Sequence, residues 1–348
     1  MVAAKAVNIT DIAARAGVSI KTVSRVIHEE PHVTADKRDR VLAAVKRLGY
    51  VPHVIAQEFA AKTTRVIGFV FLSREKLFCR EYFYTEIFDA AHKVLTEHDY
   101  FTLFLAPERI TSRPVDLVLD IAARRKLSGV ILADLVGCDY GVLARQGLPA
   151  VVLNRRIATA TTASIVPDNA AGMRAVVSHL CGLGHRRIGF LGRVPRRPSS
   201  QERLRGYRSA LREASLPWDR RLVYDCAQNV PSATDAAVRS LLRTPLARRP
   251  TALCCFTDTL ALAAIKTLQR AGVRIPDDIS VAGFDDIDFC ALVTPALTTV
   301  HVPRDEMGRL AADKLLEMIG GKSAGTTTEV PVTLVQREST CSQRRKVG

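Results

Sequence analysis

The chain has 348 residues, of which 47% are hydrophobic, and it carries a formal net charge of +15. This hydrophobic fraction excludes an intrinsically disordered protein, and the length suffices for a small domain followed by a core of two sub-domains. The sequence contains no apolar run near eighteen residues, no charged-then-apolar leader and no Cys-x-x-Cys pair among its eight cysteines. We therefore expect an unprocessed cytoplasmic protein with reduced thiols, no membrane association, no metal site and no cofactor.

The first predicted element is a helix over Ile9–Ala16. Asn8 is placed to cap this helix, and Asp11 lies three residues further on, as in a capping box. Gly17 can adopt the positive φ that a tight helix–helix turn requires, and Val18 is placed to anchor the turn in the core. The predicted inner face of the helix consists of Ile12, Ala13 and Ala16.

A second helix is predicted over about residues 20–28, and its helical spacing separates a buried stripe from an outer face. The predicted buried stripe is Val23, Val26 and Ile27. Because a helix–turn–helix places its second helix in the major groove, we expect this element to contact duplex DNA. The predicted DNA contacts on it are Ser19, which can also cap the helix, Ile20, Lys21, Thr22, Ser24, Arg25 and His28.

A third helix completes the predicted head domain. Pro31 stops the second helix, Thr34 can cap the third, and Gly49 ends it. Its predicted inner stripe is Val41, Leu42, Val45 and Leu48. The positive net charge of the chain suits a polyanionic partner. Residues 1–62 contain ten Lys and Arg and six Asp and Glu, a net charge of only +4. Most of the excess positive charge therefore lies after residue 62.

From Thr64 onward, short apolar runs bounded by Gly or Pro alternate with helical patterns. Such runs are typical of buried parallel strands, and their alternation with helices predicts doubly wound α/β sheets. The pattern continues for more than 270 residues, which favours two sub-domains. The predicted strands are 66–71, 129–132, 150–153, 187–191, 252–256 and 279–284. The predicted helices are 86–97, 114–125, 169–182, 203–215, 232–242, 259–271 and 304–319.

Three motifs in the head resemble the N-terminal signature of the lactose/galactose repressor (LacI/GalR) family: 12–19, 22–27 and 48–52. In that family, the second helix lies in the major groove and the residues at Ile20, Lys21 and Arg25 contact base edges. Arg and Lys can donate to guanine, whereas Ile20 can make only an apolar contact, such as with a thymine methyl group. The alternative is that Lys21 and Arg25 contact phosphate only.

The resemblance implies a hinge helix over 53–63 that orders on DNA and wedges an apolar residue into the minor groove. Ala56 and Phe59 align with the wedge region. The chain departs from the family pattern here, because His53 replaces a common Asn, Gln57 a common Arg and Phe59 a common Leu. Phe59 would be a larger wedge, or alternatively a residue that packs against the partner's hinge.

Motifs at 168–169, 183–188, 203–207, 275–286 and 295–300 extend the resemblance to a core similar to periplasmic sugar-binding proteins. The implied fold class is α/β: a three-helix DNA-binding head and hinge helix, then a two-lobed core of two doubly wound parallel sheets. The implied domains are a head over 1–52, a hinge over 53–63, a core over 64–340 and a basic tail over 341–348. The implied lobes are an N-lobe of 64–164 and 295–325 and a C-lobe of 165–294 and 326–340.

Ligands of open α/β sheets bind beyond the carboxyl ends of the strands, so we expect an effector site in the cleft between the lobes. Family effectors are mostly sugars or their derivatives. The predicted effector contacts are Asn154, Arg203, Thr257, Asp258 and Asp285. The alternatives are that Arg203 is a surface helix residue and that Asp285 caps a turn.

Two features make the predicted pocket atypical. Thr257 stands where family members commonly have Asn, and the loop after the first predicted strand, 72–84, is longer and heavier. Separately, the segment 192–198 adds three arginines near the cleft. These arginines could bind an anionic sugar. The alternative is that they form a solvated basic loop without a role in binding.

The overall expectation is a transcriptional regulator, most simply a repressor, and not an enzyme. It would act as a homodimer on a pseudo-palindromic operator in double-stranded DNA, with operator affinity controlled by a sugar-type effector. The alternatives are a sugar-binding module without a regulatory DNA function, and a transcriptional activator. His185 is interpreted as a structural hydrogen-bonding residue, because no nucleophile or metal motif accompanies it.

Overall fold

The computed structural model describes residues 7–27, 31, 33–49, 64–71, 82–105, 118–120, 122, 127–133, 139–192, 198–226, 231–322 and 325–343. The chain divides into two compact units, Met1–Thr64 and Arg65–Gly348. His28, the predicted hinge over 53–63 with Ala56 and Phe59, most of the predicted helix 114–125, the arginines within 192–198 and the end of the basic tail lie outside the described residues.

The small unit contains α1 (Ile9–Ala16), α2 (Ile20–Ile27) and α3 (Ala35–Leu48). The capping box at α1 is confirmed, because the Asn8 side chain accepts from the backbone of Asp11 while the Asp11 carboxylate accepts from Asn8 N at 2.9 Å. Gly17 adopts φ +64, as the tight turn requires. The buried core is made of Ile12, Ala13, Ala16, Val23, Val26, Val41 and Ala44.

Two predictions for α3 are wrong. Leu42 is 51% exposed, and Ala44 takes its place in the core. The reason is helical geometry: Val41, Ala44, Val45 and Leu48 follow the spacing i, i+3, i+4 and i+7, whereas Leu42 is rotated by one residue from that stripe. Thr34 precedes the helix but makes no side-chain capping hydrogen bond.

The large unit is built on two parallel sheets, which confirms the predicted α/β class. The N-lobe sheet has the strand order β11-β5-β4-β3-β1-β2 and the C-lobe sheet the order β7-β6-β8-β9. The N-lobe strands are β1 (Val66–Val70), β2 (Phe101–Leu105), β3 (Gly129–Leu132), β4 (Ala150–Leu153), β5 (Thr162–Pro167) and β11 (Thr327–Val330). The C-lobe strands are β6 (Ile188–Gly192), β7 (Val223–Asp225), β8 (Ala252–Cys255) and β9 (Ser280–Ala282). β10 (Thr299–His301) pairs antiparallel with β12 (Thr333–Val335).

The helices of the large unit pack around these sheets. In chain order they are α4 (Tyr82–Glu97), α5 (Gly141–Arg145), α6 (Asn169–Gly182), α7 (Pro198–Glu213), α8 (Pro231–Arg243), α9 (Asp258–Arg270), α10 (Phe289–Leu292) and α11 (Arg304–Ile319). α11 packs on α4, and α7 packs on α6. At Gly206 of α7, an added Cβ would lie 2.2 Å from the Ala170 carbonyl oxygen, so only glycine allows this close approach. In the described part of the chain, no helix combines the length and the apolar character needed to cross a bilayer.

The backbone pairing corrects the predicted lobe boundaries. β5 continues to Pro167 in the N-lobe sheet, and β11 joins the same sheet beside β5 rather than the C-lobe. Residue Thr298 pairs with Ala282 of β9, so the segment that begins at 295 lies against the C-lobe sheet. Strand pairing between distant segments decides these boundaries, and local hydropathy carries no signal for it.

Candidate DNA-binding helix and interlobe cleft

The outer face of α2 presents the residues predicted to contact DNA. Ile20 is 48% exposed and Lys21 is also exposed, whereas Thr22, Ser24 and Arg25 are half-buried. Beneath them Val23 and Val26 are buried, and Ile27 packs partly against the same core. The helix therefore rests on the head through one face and exposes its first turn.

Ser19 caps α2 as predicted. Its Oγ accepts from Thr22 N at 3.2 Å and shares a hydrogen bond of 2.9 Å with Thr22 Oγ1. Arg40 of α3, which the sequence interpretation missed, donates from Nη2 to Ala16 O at 2.6 Å and to Gly17 O at 3.1 Å. Arg40 thus binds the carbonyl groups at the end of α1 and stabilises the turn that leads into α2.

In the large unit, Arg203 of α7 is the centre of the site at the carboxyl edge of the C-lobe sheet. The side chain is only 5% exposed. Its Nε donates to Asn169 Oδ1 at 2.8 Å, Nη1 donates to Phe256 O, and Nη2 donates to Asp285 Oδ1 at 3.4 Å. The guanidinium carbon lies 3.6 Å from the centre of the Phe284 ring. The alternative of a surface residue is wrong for Arg203, because α7 packs this side chain inward.

Asp285 follows β9 and faces Arg203 from within the same lobe. Burial raises the pKa of Asp285 to about 7, although the Arg203 guanidinium opposes the rise. Its backbone has φ +123, and the next residue, Asp286, has φ +57. Non-glycine residues are strained in this region, and such strain is frequently found at functional sites.

Asn154 directly follows β4 on the N-lobe side and has φ +61. Its Nδ2 donates to Tyr84 Oη at 3.0 Å. Tyr84 lies on α4 and was not among the predicted contacts; its ring packs edge-on against Phe71 with 5.3 Å between the ring centres. An amide and a phenol thus lie side by side at the carboxyl edge of the N-lobe sheet.

Asp258 does not face the cleft, so its predicted role as an effector contact is corrected. The residue is fully buried, and its two oxygens accept from Thr299 Oγ1 at 2.5 Å and from Ile287 N at 3.0 Å. Burial raises the pKa of this carboxyl, and the two hydrogen bonds oppose the rise. Thr257 is the N-cap of α9 and accepts from Leu260 N at 3.4 Å.

Contacts between the lobes are the main feature that the sequence interpretation missed. Arg156, just after β4, forms ion pairs with Glu202 of α7 at 3.0 Å and with Glu329 of β11. The other oxygen of Glu202 accepts from Asn169 Nδ2 at 2.9 Å. Because Asn169 also binds Arg203, this chain of bonds connects the N-lobe to the centre of the site.

A second connection runs through Arg304 at the start of α11. Its Nε donates to Glu86 of α4 at 2.6 Å, Nη1 donates to Asp285 O, and Nη2 donates to Asp286 O at 3.0 Å. The guanidinium is almost completely buried. It therefore joins the strained loop after β9 to the N-lobe helices. Residue spacing could not reveal these partners, because Glu86 and Arg304 lie 218 residues apart.

His185 is a structural residue in this fold. Its Nε2 lies 3.1 Å from Ser280 Oγ and 3.0 Å from Cys341 O, and its Nδ1 lies 3.0 Å from Thr251 Oγ1. Burial lowers the pKa of the imidazole. Among the described residues, no group of three or more His, Cys, Asp and Glu side chains is arranged to hold a metal ion.

Each of the two units matches the model of a known protein family. Residues 8–53 match the model of the lacI family of bacterial regulatory proteins, and residues 177–340 match that of a periplasmic binding protein-like domain. The chain is 31% identical over 317 residues to the HTH-type transcriptional repressor PurR of Photobacterium profundum, with 90% of this chain and 92% of the relative covered. The PurR of Vibrio cholerae has the same identity and coverage. The chain belongs to the lacI family of bacterial regulatory proteins.

Solved structures place this lacI-family member beside ligand-bound regulators. The lac repressor dimer bound to operator and the anti-inducer ONPF matches with a TM-score of 0.78 at 26% identity, over 97% of this chain and all of that one. The complex of the transcriptional regulator CelR with cellobiose matches with a TM-score of 0.72 at 29% identity, over 96% and 99%. The chain is thus a DNA-binding transcriptional repressor with a small-molecule effector, and its relatives are regulators rather than enzymes.

Proposed function

We propose that this lacI-family protein is a homodimeric repressor without enzymatic activity that acts in the cytoplasm. Two copies of α2 would enter successive major grooves of a pseudo-palindromic operator, with the hinges, including Ala56 and Phe59, over its centre. The related lac repressor is described as a dimer on its operator, which supports this assembly. A sugar-type effector between the lobes would control operator affinity.

The observation that carries the DNA proposal is the exposed first turn of α2 on a compact core. N-terminal residues of a recognition helix contact base edges, and the exposure of Ile20 and Lys21 supports this role for them. Lys21 and Arg25 would donate to guanine, each good pair supplying about 1–3 kcal/mol of discrimination. Ser19 and Thr22 would contact phosphate through their hydroxyl groups. Ser24 and His28 are further candidate base contacts.

The cleft supports a hydroxyl-rich effector. Asn154 and Asp285 offer amide and carboxylate groups from opposite lobes, and Arg203 holds the Asp285 carboxylate in place. Such groups form directional hydrogen bonds with sugar hydroxyls. The cellobiose complex of the related CelR supports the same class of ligand. Thr257 would line this pocket, whereas the buried Asp258 would support it from behind.

Effector binding would act on the bonds between the lobes. Arg156 and Arg304 both connect the N-lobe to residues that surround Arg203 or Asp285. A ligand that rearranges these groups would shift the N-lobe and, through it, the hinge. Operator and effector affinities would then be linked reciprocally, typically by about 1–3 kcal/mol.

The test is selection of bound duplexes from a random pool by the full-length protein, with and without neutral and acidic sugars. We expect a pseudo-palindrome whose enrichment a sugar abolishes or strengthens. Lys21→Ala and Arg25→Ala should lose preference at single base positions, whereas Lys46→Ala on α3 serves as a charge-matched control.

Other outcomes separate the alternatives. Reduced affinity without altered base preference would assign Lys21 and Arg25 to phosphate. Sugar binding without selection of any duplex would favour the sugar-binding module. A selected operator at which the protein raises transcription in a reporter assay would identify an activator.

A further inference from the structure

A second cavity lies at the opposite edge of the C-lobe sheet from the cleft. Its lining comes from the chain just before β6, the chain just before β7 and the end of α8, all at the amino-terminal edge of the sheet. Its volume is about 660 Å³. This lies within the range of about 300–1,000 Å³ that small-molecule sites occupy. We refer to it as the outer basic pocket.

Arginine dominates the walls of the outer basic pocket. Among the described residues that line it, the arginines are Arg186, Arg187, Arg221, Arg243 and Arg248, and the acidic side chain is Asp219. Asp219 is already paired with Arg221, at 2.9 Å between Oδ2 and Nη2. The pocket therefore carries a large positive surplus that no other described side chain in its lining offsets.

The arginines of the pocket differ in the number of hydrogen bonds that their side chains make within the protein. Arg186 donates from Nη1 to Cys181 O at 3.0 Å, and Arg187 donates from Nε to Arg249 O at 3.0 Å. These bonds hold the two side chains beside the pocket while other N–H groups stay available. Within the described part of the chain, the guanidinium groups of Arg243 and Arg248 have no hydrogen bond or ion pair, and both side chains are exposed.

We propose that the outer basic pocket binds a small organic phosphate, at a site separate from the interlobe cleft. Guanidinium groups bind phosphate oxygens in a bidentate manner, and the exposed side chains of Arg243 and Arg248 would supply these contacts. Leu222, Pro217 and Pro245 supply apolar surface for the carbon skeleton. The proposal does not depend on the identity of the effector in the cleft.

The test is isothermal titration of the full-length protein with glucose 6-phosphate, with glucose as the neutral probe and inorganic phosphate as the free ion. We expect a phosphate-dependent binding event that Arg243→Ala/Arg248→Ala weakens at least tenfold. Arg270→Ala/Arg309→Ala removes the same charge from exposed sites elsewhere and should leave this binding unchanged. Thermal unfolding checks that both double variants are folded.

Asp285→Asn separates the two sites. If it removes glucose 6-phosphate binding while Arg243→Ala/Arg248→Ala does not, the phosphate lies in the cleft and the proposal is wrong. Equal affinity for inorganic phosphate and glucose 6-phosphate would mean that the pocket binds only the phosphate ion. The proposal of an organic phosphate ligand would then be wrong. Loss of nonspecific duplex binding in the arginine variant, without any effect of glucose 6-phosphate, would assign the patch to DNA instead.

Discussion

The two edges of the C-lobe sheet use arginine in opposite ways. At the carboxyl edge, Arg203 is buried and donates to three partners of its own chain, one of them Asp285. At the amino edge, Arg243 and Arg248 extend into solvent around the outer basic pocket. The same side chain is thus a structural support for a binding group in one place and a candidate binding group in the other. Burial, rather than residue type, determines the difference.

The buried ionisable groups of the two edges differ as well. The carboxyl edge contains the acids Asp258 and Asp285, each supported by donors from the protein. The amino edge contains His185, which bonds to Ser280, Thr251 and the segment around Cys341. Burial raises the pKa of both acids at the carboxyl edge and lowers the pKa of the imidazole at the amino edge, so at both edges it favours the neutral form.

The largest expected effect is the loss of stability caused by Arg203→Ala. Removing the guanidinium leaves Asp285 and the Phe256 carbonyl without their donor, which should lower the free energy of unfolding by about 3–5 kcal/mol. Urea denaturation measures this loss. Arg248→Ala is the matched control, and it should stay within about 0.5 kcal/mol of the parent. Equal losses in the two variants would contradict the contrast between the edges.

A smaller loss is expected for Asp258→Ala. The substitution leaves Ile287 N and the Thr299 hydroxyl unpaired in the interior. Each such group costs about 1–3 kcal/mol. Asp258→Asn keeps one acceptor. Its free energy of unfolding, measured by urea denaturation, should therefore lie between those of the parent and the alanine variant. If the alanine variant is as stable as the parent, Asp258 has no supporting role in the site.

At the amino edge, His185 should make stability depend on pH. Burial lowers the pKa of the folded-state imidazole below its usual value near 6.5, so the unfolded chain binds the proton more readily. The free energy of unfolding should therefore fall as pH decreases from about 6.5 toward the folded-state pKa, by at most about 1.4 kcal/mol per pH unit. His185→Gln should remove this part of the slope, which leaves the contribution of His179, whose pKa burial also lowers. An unchanged slope would mean that the pKa of His185 is the same in the folded and unfolded states.

The smallest expected effect is the pH dependence of effector binding. Because the pKa of Asp285 is raised to about 7, its charged fraction grows as pH rises from 6 to 8. A carboxylate accepts a sugar hydroxyl more strongly than a neutral acid does, so affinity should rise a few-fold over this range. Titration of a bound sugar at each pH provides the measurement. Asp285→Asn should show a flat profile, and a flat profile in the parent would mean that Asp285 does not contact the effector.

Local rules were sufficient for the head and for much of the core. Asn8, Gly17 and Ser19 have the capping and turn roles that their residue types predict, and α1 begins and ends where expected. The apolar runs that became β3 and β4 needed no tertiary information either. Strand β11 was missed because it is mostly polar and partly exposed. Strand β2 was missed although Leu103, Phe104 and Leu105 are apolar, and it is only partly buried. Arg203 was predicted from the family resemblance, and Asn154 and Asp285 both from that resemblance and from their positions after predicted strands. The use of Asp258 as a buried support could not be predicted from its place after a strand.

The sequence by itself determined the three-helix head, the α/β class of the core and the family of the chain, because capping, helical periodicity and motif order are encoded within short stretches. Only the tertiary structure decided which residues surround Arg203, how Arg156 and Arg304 join the lobes, and that arginines from separate segments enclose one outer pocket. Those arrangements depend on contacts between residues far apart in the chain, such as Glu86 and Arg304. The physical reason is that burial and pairing of charge are set by the packing of whole elements, and no local pattern records them.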